Sequence, residues 1–253
     1  MSKKVIILSM SCNQERYINE ENAIRQTWGK DILEGKYDNI ELLFYRGGAS
    51  ITHLENNVLY CPTGDEVYNT YKKSIECFKW LVENREFDYI IRTNTSTYIN
   101  IDAILQFLDF NIDENIMCGP SLVMNKGSNY IPFLSGHYLI FSKKVINTLL
   151  KNEHDYDGID DVIFSYSLIK EYGRDYVEKY IMEIDNINDM SKSYMDNIST
   201  SYCVRVKDEV NLDNNIPKMI GLYFIYKNIK TQIKPPHGFT KIYTPYGQIP
   251  IDT

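Results

Sequence analysis

Asp88-Tyr-Ile-Ile-Arg-Thr-Asn-Thr-Ser-Thr-Tyr-Ile-Asn100 sets an apolar run, Tyr89 to Ile91, directly before a row of amides and hydroxyls. The spacing predicts a short buried strand whose C-terminal end delivers polar side chains. An open α/β sheet presents groups to its ligand at that end of its strands. No carboxylate lies between Arg92 and Asn100. A ligand cleft built here therefore does not rest on a divalent metal held by this segment, because such ions need carboxylate oxygens.

Outward from this segment, strand and helix patterns alternate. Val5 to Met10 is a continuous apolar run behind two lysines, as in a buried parallel strand. Glu20 to Trp28 suits a helix that stops near Gly29. Ile40 to Tyr45 and Val58 to Tyr60 read as strands, the second closed by Cys61-Pro-Thr-Gly64. Asp65 to Glu83 carries Tyr68, Tyr71, Ile75, Phe78 and Leu81 at helical spacing, and Ile101 to Leu108 follows as another helix. Met117 to Pro120 and Phe133 to Phe141 read as strands flanking a loop at Asn125 to Asn129. Ser142 to Leu150 and Asp160 to Tyr172 are helices, Tyr202 to Val206 a strand, and Ile216 to Ile233 a long amphipathic helix. The first half thus predicts a parallel sheet covered on both faces. No repeat or linker interrupts residues 1–253, so one domain is expected.

Apolar residues at 43% and charged residues at 24% are ordinary globular values. A net charge of −7 argues against sequence-independent binding of nucleic acid, which needs a basic face. Five cysteines, odd in number and without a CxxC, make neither a disulfide framework nor a zinc site. They suit reduced, buried thiols in a reducing compartment. The N-terminal apolar run stops at Ser9, too short for a secretory signal, and no window approaches a membrane span. The expected location is cytoplasmic, with peripheral membrane contact left open. Walker, GxGxxG, HExxH and GxSxG signatures are absent.

Several spaced elements resemble one family. Ala23-Ile-Arg-Gln-Thr-Trp-Gly29 resembles the AIRxTWG element of β-1,3-glycosyltransferases of the galactosyltransferase and fringe type. Asp65, Asn69 and Lys73 fall at the spacing of that family's D-x-Y-x-N-L-T-x-K helix, although its Tyr and Leu-Thr are not reproduced in register. The segment Asp88 to Asn100 resembles its strand ending in three aspartates. Pro132 to Ser142 resembles its Ser-Gly-Gly block, and Gly158-Ile-Asp-Asp-Val162 its Glu-Asp-Val block. The resemblance covers residues 23–162 in the family's order and finds little support beyond them.

The resemblance implies a GT-A fold, α/β with a mixed central sheet. A Rossmann-like nucleotide-sugar-binding half (about 1–120) would be fused to an acceptor-binding half (about 121–253). It implies an inverting hexosyltransferase that takes a hexose or N-acetylhexosamine from a nucleotide sugar, UDP-linked in most members. The acceptor would be a glycan or glycolipid, and the bond β-linked, of β-1,3 type, in surface polysaccharide synthesis.

Such chemistry needs a base on the acceptor hydroxyl and positive charge or donors on the departing diphosphate. For an arbitrary Asp-Asp pair at a helix start, capping alone is the usual reading. The Ser135-Gly136-His137 block upstream reverses that preference. Asp161 is then the first choice for the base and Asp160 the second. The family's Mn²⁺ ligands align with Asn94, Thr95 and Ser96, which are poor divalent ligands without a carboxylate. No cofactor is therefore expected to be required, and Mn²⁺ or Mg²⁺ is disfavoured. Arg25, Lys73, Arg92 and His237 are the candidates for the diphosphate, arginine offering a bidentate fork. Ser9 and Ser11 stand where the nucleoside would be met, with Asn94 and Ser96 beside them. Ser135, Gly136 and His137 would line the sugar pocket. A surface face for Arg25, Lys73 and His237, and a core role for His137, are the bland alternatives. The rival function is a non-catalytic glycan- or protein-binding relative of chaperone type, which some family members without the acidic triad exemplify.

Overall fold

The computed structural model describes residues 2–110, 114–126, 129–153, 157–173, 175–180, 185–186, 203–207, 211–228, 242–244 and 247–249. In chain order the elements begin with β1 (Val5–Met10), α1 (Glu15–Gln26), α2 (Lys30–Leu33), β2 (Ile40–Arg46), β3 (His53–Glu55) and β4 (Val58–Tyr60). Then come α3 (Thr70–Asn84), β5 (Tyr89–Asn94), β6 (Thr97–Ile99), α4 (Ile101–Phe110), β7 (Met117–Cys118), β8 (Ser121–Lys126) and β9 (Asn129–Leu134). The remainder is β10 (Tyr138–Ser142), α5 (Lys143–Lys151), α6 (Asp160–Tyr172), α7 (Asp175–Lys179), β11 (Asp185–Asn186), β12 (Cys203–Arg205), α8 (Asn215–Asn228) and the hairpin β13 (Ile242–Thr244) and β14 (Gly247–Ile249).

Seven strands form the central sheet in the order β3-β4-β2-β1-β5-β10-β7. The run β4-β2-β1-β5 is parallel, while β10 lies antiparallel to both β5 and β7. This is the α/β architecture with a mixed central sheet expected from the sequence. A three-stranded sheet, β11-β12-β6, branches from the end of β5. Among the described residues no helix is long and apolar enough to cross a membrane.

Strand periodicity explains the two covered faces. Successive side chains of β2 point to opposite sides. Phe44 lies under Arg25 of α1, 4.5 Å from guanidinium carbon to ring centre, while the Tyr45 hydroxyl sits 3.0 Å from Ser74 Oγ of α3. On the α3 face, Tyr71, Phe78, Phe141 and Phe164 meet with ring centres 5.5–5.6 Å apart. Each such buried ring contributes about 2–3 kcal/mol. That cluster locks α3, β10 and α6 together, and these elements carry the polar residues of the site.

Three departures from the predicted elements have physical causes. The first helix starts at Glu15 rather than Glu20. Its first turn borders a cleft, so it is polar and lacks an apolar stripe. The helix predicted from Asp65 starts at Thr70, behind a short 3-10 turn at Val67–Asn69. The Asp65 carboxylate is held elsewhere, accepting from the backbone N–H groups of Gly47 (2.7 Å) and Asn13 (3.0 Å). The strand predicted from Phe133 to Phe141 is broken into β9 and β10 at Ser135–His137, where the backbone turns towards the site. The predicted amphipathic helix near the C-terminus is described from Asn215 to Asn228; its extension to Ile233 lies outside the described residues. All five cysteines are free and buried.

Candidate active site

The parallel strands β1, β2 and β5 end together at Met10, Arg46 and Asn94. A cavity of about 470 Å³ opens beyond β1 and β5. Its walls come from the α1 entry, the start of α3, the Asn94–Ser96 turn, the Ser135–His137 break, the start of α6 and the end of β12.

Arg92 is the central cation of this wall and is only 1% exposed. Its Nη2 donates to Asp160 Oδ1 at 3.0 Å, and Nε lies 2.9 Å from Asp160 Oδ2. Its Nη1 donates to Asn94 Oδ1 at 2.9 Å and to the carbonyl of Gly136. Asp160, equally buried, also accepts from Ser74 Oγ at 2.9 Å and from the Asp161 N–H at 3.0 Å. An ion pair with these added donors is the form in which buried charge is tolerated.

The neighbouring Asp161 faces the cavity. Its Oδ2 accepts from Gly136 N–H at 2.7 Å and its Oδ1 from Val162 N–H at 2.8 Å. Burial first, and then the Asp160 charge, push its pKa up to about 6. The two aspartates are thus chemically different. Asp160 is tied into an ion pair, whereas Asp161 is a cavity-facing carboxylate with raised basicity, the state a general base requires.

Ser135, Gly136 and His137 come to the same wall, as the sequence order suggested. The Gly136 backbone bridges Arg92 through its carbonyl and Asp161 through its N–H. A Cβ placed at Gly136 falls 2.6 Å from Arg92 Nη1 and 3.2 Å from Asp161 Oδ2. Gly136→Ala is expected to cost about 1–3 kcal/mol of stability, because the guanidinium is pinned and cannot swing aside. Urea unfolding of the variant checks this, and an unchanged midpoint would contradict it. His137 Nδ1 lies 2.8 Å from Ser135 Oγ. Burial, followed by the charges of Arg205, Arg92 and Lys207, pushes the His137 pKa down to about 3, so the imidazole is neutral.

The Asn94–Ser96 turn does not offer a metal's donor set. Asn94 Oδ1 accepts from Arg92, and Thr95 Oγ1 donates to the buried Glu20 carboxylate at 2.5 Å. The turn itself contributes an amide and two hydroxyls, which do not fit a divalent cation lacking a carboxylate partner. Among the described residues, no group of three or more His, Cys, Asp or Glu side chains could hold a metal ion.

Other expected residues separate into three groups. Lys73 and Ser11 reach the cleft, where Lys73 Nζ donates to Asp65 Oδ1 (2.9 Å) and to the Ser11 carbonyl (3.1 Å). Ser9 is fully buried in β1, behind the wall, and its hydroxyl has no hydrogen-bond partner among the described residues. Arg25 lies away from the cavity, donating to Glu21 Oε1 (2.9 Å) and the Asn56 carbonyl (3.1 Å) while stacking on Phe44. His237 lies outside the described residues.

Sequence reading missed Glu20, Arg16, Arg205 and Lys207. Glu20 is 2% exposed and joins three segments. It accepts from Thr95 Oγ1, from Asn215 Nδ2 of α8 at 2.8 Å and from Arg16 Nη2 at 3.4 Å. Nothing in the local sequence marks it, because its partners lie 75 and 195 residues away. Arg205 carries a faint signal, being a charge within an apolar strand.

No family model matches the sequence, and no curated protein matches it. Among solved structures, a glycosyltransferase involved in glycosylation of the major capsid of PBCV-1 is similar at 11% identity and a TM-score of 0.46, over 86% of this chain and 99% of that one. The inositol-1-phosphate CTP transferase from T. maritima is similar at 11% identity and a TM-score of 0.45, over 92% and 99%. The apo-form glycosyltransferase GlyE of Streptococcus pneumoniae TIGR4 shows 11% identity and a TM-score of 0.35, over 72% and 45%. Likenesses this distant carry no weight for function, and the strand order above describes the fold without them.

Proposed function

We propose that this chain is an inverting, metal-independent glycosyltransferase moving a hexose or N-acetylhexosamine from a UDP-linked donor to a glycan acceptor. The observation that carries this reading is the asymmetric aspartate pair at the start of α6. Asp160 is tied to Arg92, and Asp161 faces the cleft with a raised pKa. The position of that cleft beyond the C-terminal ends of parallel strands suits a nucleotide.

In the reaction, Asp161 takes the proton of the acceptor hydroxyl as its oxygen bonds to the anomeric carbon. The bond from that carbon to the donor's phosphate oxygen breaks on the opposite face, and its electron pair leaves with the diphosphate. Inversion follows from that in-line geometry. Arg92 holds Gly136 and Asp160, and through them fixes the carboxylate of Asp161.

Transfer to a glycan acceptor, or slow donor hydrolysis, should persist in EDTA. A loss of both that Mn²⁺ restores would remove metal independence from the proposal. Failure of any nucleotide sugar to bind by calorimetry, with or without Mn²⁺, would overturn the transferase reading. Binding without turnover would favour the non-catalytic relative. The pH profile has a definite sign: Asp161 must be ionised to act as a base. The acidic limb of kcat/KM is therefore expected near pH 6, above the range of an ordinary carboxylate. A limb near pH 4 would remove Asp161 from that role.

A further inference from the structure

A second cleft, of about 200 Å³, shares no lining residue with the main cavity of about 470 Å³. It is walled by the α1–α2 junction, the segment before β2, the end of β6, the start of α4 and α8. Its lining supplies two kinds of group. Trp28, Tyr37, Tyr98 and Tyr223 give aromatic surface, with Tyr37 and Tyr223 half-buried. Asp31 and Asp102 give carboxylates, the first half-buried and the second exposed. The Tyr37 hydroxyl donates to Asp102 Oδ1 at 3.1 Å. Burial, followed by the nearness of Tyr223, Asp31, Tyr37 and Asp102, pushes the Tyr98 phenol pKa up, so these groups converge on one place. The mechanism above uses none of them.

Two donors at the same cleft are unsatisfied. The Trp28 indole N–H and the Asn100 amide nitrogen are buried without a hydrogen-bond partner among the described residues, and both side chains belong to the cleft lining. Trp28 is 4% exposed and Asn100 6%. Asn100 Oδ1 accepts from the Ala103 N–H at 3.3 Å, which fixes the amide at the start of α4 and leaves its nitrogen over. An unpaired buried donor costs about 1–3 kcal/mol, and an acceptor oxygen brought into the cleft recovers that loss.

A matching ligand accepts from an indole and an amide, donates to carboxylates, and lays an apolar face on tyrosine rings. A neutral hexopyranose does all three, since each hydroxyl both donates and accepts and its C–H face is apolar. An anionic ligand is opposed by Asp31 and Asp102. A cation suits the rings and carboxylates but leaves both donors unmet. Lys227, moreover, already stands 4.6 Å from the Tyr223 ring centre. We propose that this cleft is a second binding site, which takes one neutral hexose unit of a glycan. The site stands on its own lining and holds for a transferase and for a non-catalytic glycan binder alike.

The test uses the full chain without nucleotide. The probes are methyl glucoside, methyl galactoside and methyl N-acetylglucosaminide, with tetramethylammonium as the cationic rival. Trp28 lines the cleft and Trp80 does not, so tryptophan emission reports occupancy, with saturation-transfer NMR as a second readout. At least one glycoside is expected to bind saturably, with a Kd on the order of millimolar. Asp102→Asn and Tyr223→Ala should each weaken it by about ten-fold or more, the scale of one well-made polar or stacking contact. Thermal melts check the fold of both; Asp102 is exposed, so its variant keeps the test decisive if Tyr223→Ala does not fold. Absence of saturable binding by all three glycosides overturns the assignment. Wild-type affinity in the folded variants does so too, by placing the sugar elsewhere. Tetramethylammonium binding tighter than every glycoside would make the cleft a cation site and equally overturn it. No nucleotide enters these titrations, so their failure is distinct from failure of the transferase reading, which nucleotide-sugar calorimetry measures.

Discussion

Asp161→Asn is expected to lower kcat for sugar transfer by about 10²–10⁴-fold, the usual contribution of a positioned general base. Asparagine keeps the size of the side chain and can still accept the Gly136 N–H, so donor affinity should stay close to wild type. The same variant makes a second, opposite prediction about stability. Burial and the Asp160 charge raise the folded-state pKa of Asp161 to about 6 from the ordinary aspartate value of 3.8. Between those pH values the folded state binds the proton more tightly than the unfolded chain. Stability from this group is therefore full below pH 4 and is lost as pH rises through 6. Removing the carboxyl removes that loss. Asp161→Asn should unfold at higher denaturant concentration than wild type at pH 7.5, by about 3 kcal/mol, with the difference vanishing near pH 4. Unchanged turnover would reject the base assignment. Equal stability at both pH values would reject the perturbed carboxyl.

The second large effect is structural. Arg92→Met should destabilise the fold by about 3–5 kcal/mol, the usual result of stripping a buried charge of its partner. Asp160, itself 1% exposed, would be left beside Asp161 without its cation, and Asn94 and the Gly136 carbonyl would lose their donor. Adding Asp160→Asn removes the orphaned charge, so the double variant should recover part of the loss. Urea midpoints of the two single variants and the double variant measure this. Additive losses would mean that the pair does not act as a unit. A near-normal Arg92→Met would show that the charge is compensated from elsewhere.

Some of this was legible along the chain because it depends on local pattern. β1 and β2 are apolar runs buried on both faces, which a period argument finds. α6 announces itself at both ends, with Asp160 and Asp161 in its first turn and Gly173 after Tyr172. Ser135-Gly136-His137 and Asp160-Asp161, both singled out from the sequence, line the same cavity. The split of Phe133 to Phe141 was hidden, because apolar periodicity is blind to where a backbone carbonyl must turn to reach an arginine. Charge roles were hidden more deeply. Lys73, Arg92 and Arg25 read alike as cations awaiting a phosphate. In the fold, Lys73 is tied to the half-buried Asp65 and Arg92 to the buried Asp160, and Arg25 covers a phenylalanine behind the sheet.

The sequence by itself determined the alternation of strands and helices, the polar end of β5 and the aspartates at the start of α6, since these follow from spacing and side-chain chemistry. Only the tertiary structure decided which aspartate is ion-paired and which is held by backbone N–H groups alone, because that depends on where Arg92 points. It also set Arg205, more than a hundred residues downstream, opposite Thr97 beside the Asn94–Ser96 turn. The physical reason is that electrostatic partnership is set by distance and burial in space, and neither is written in the local order of residues.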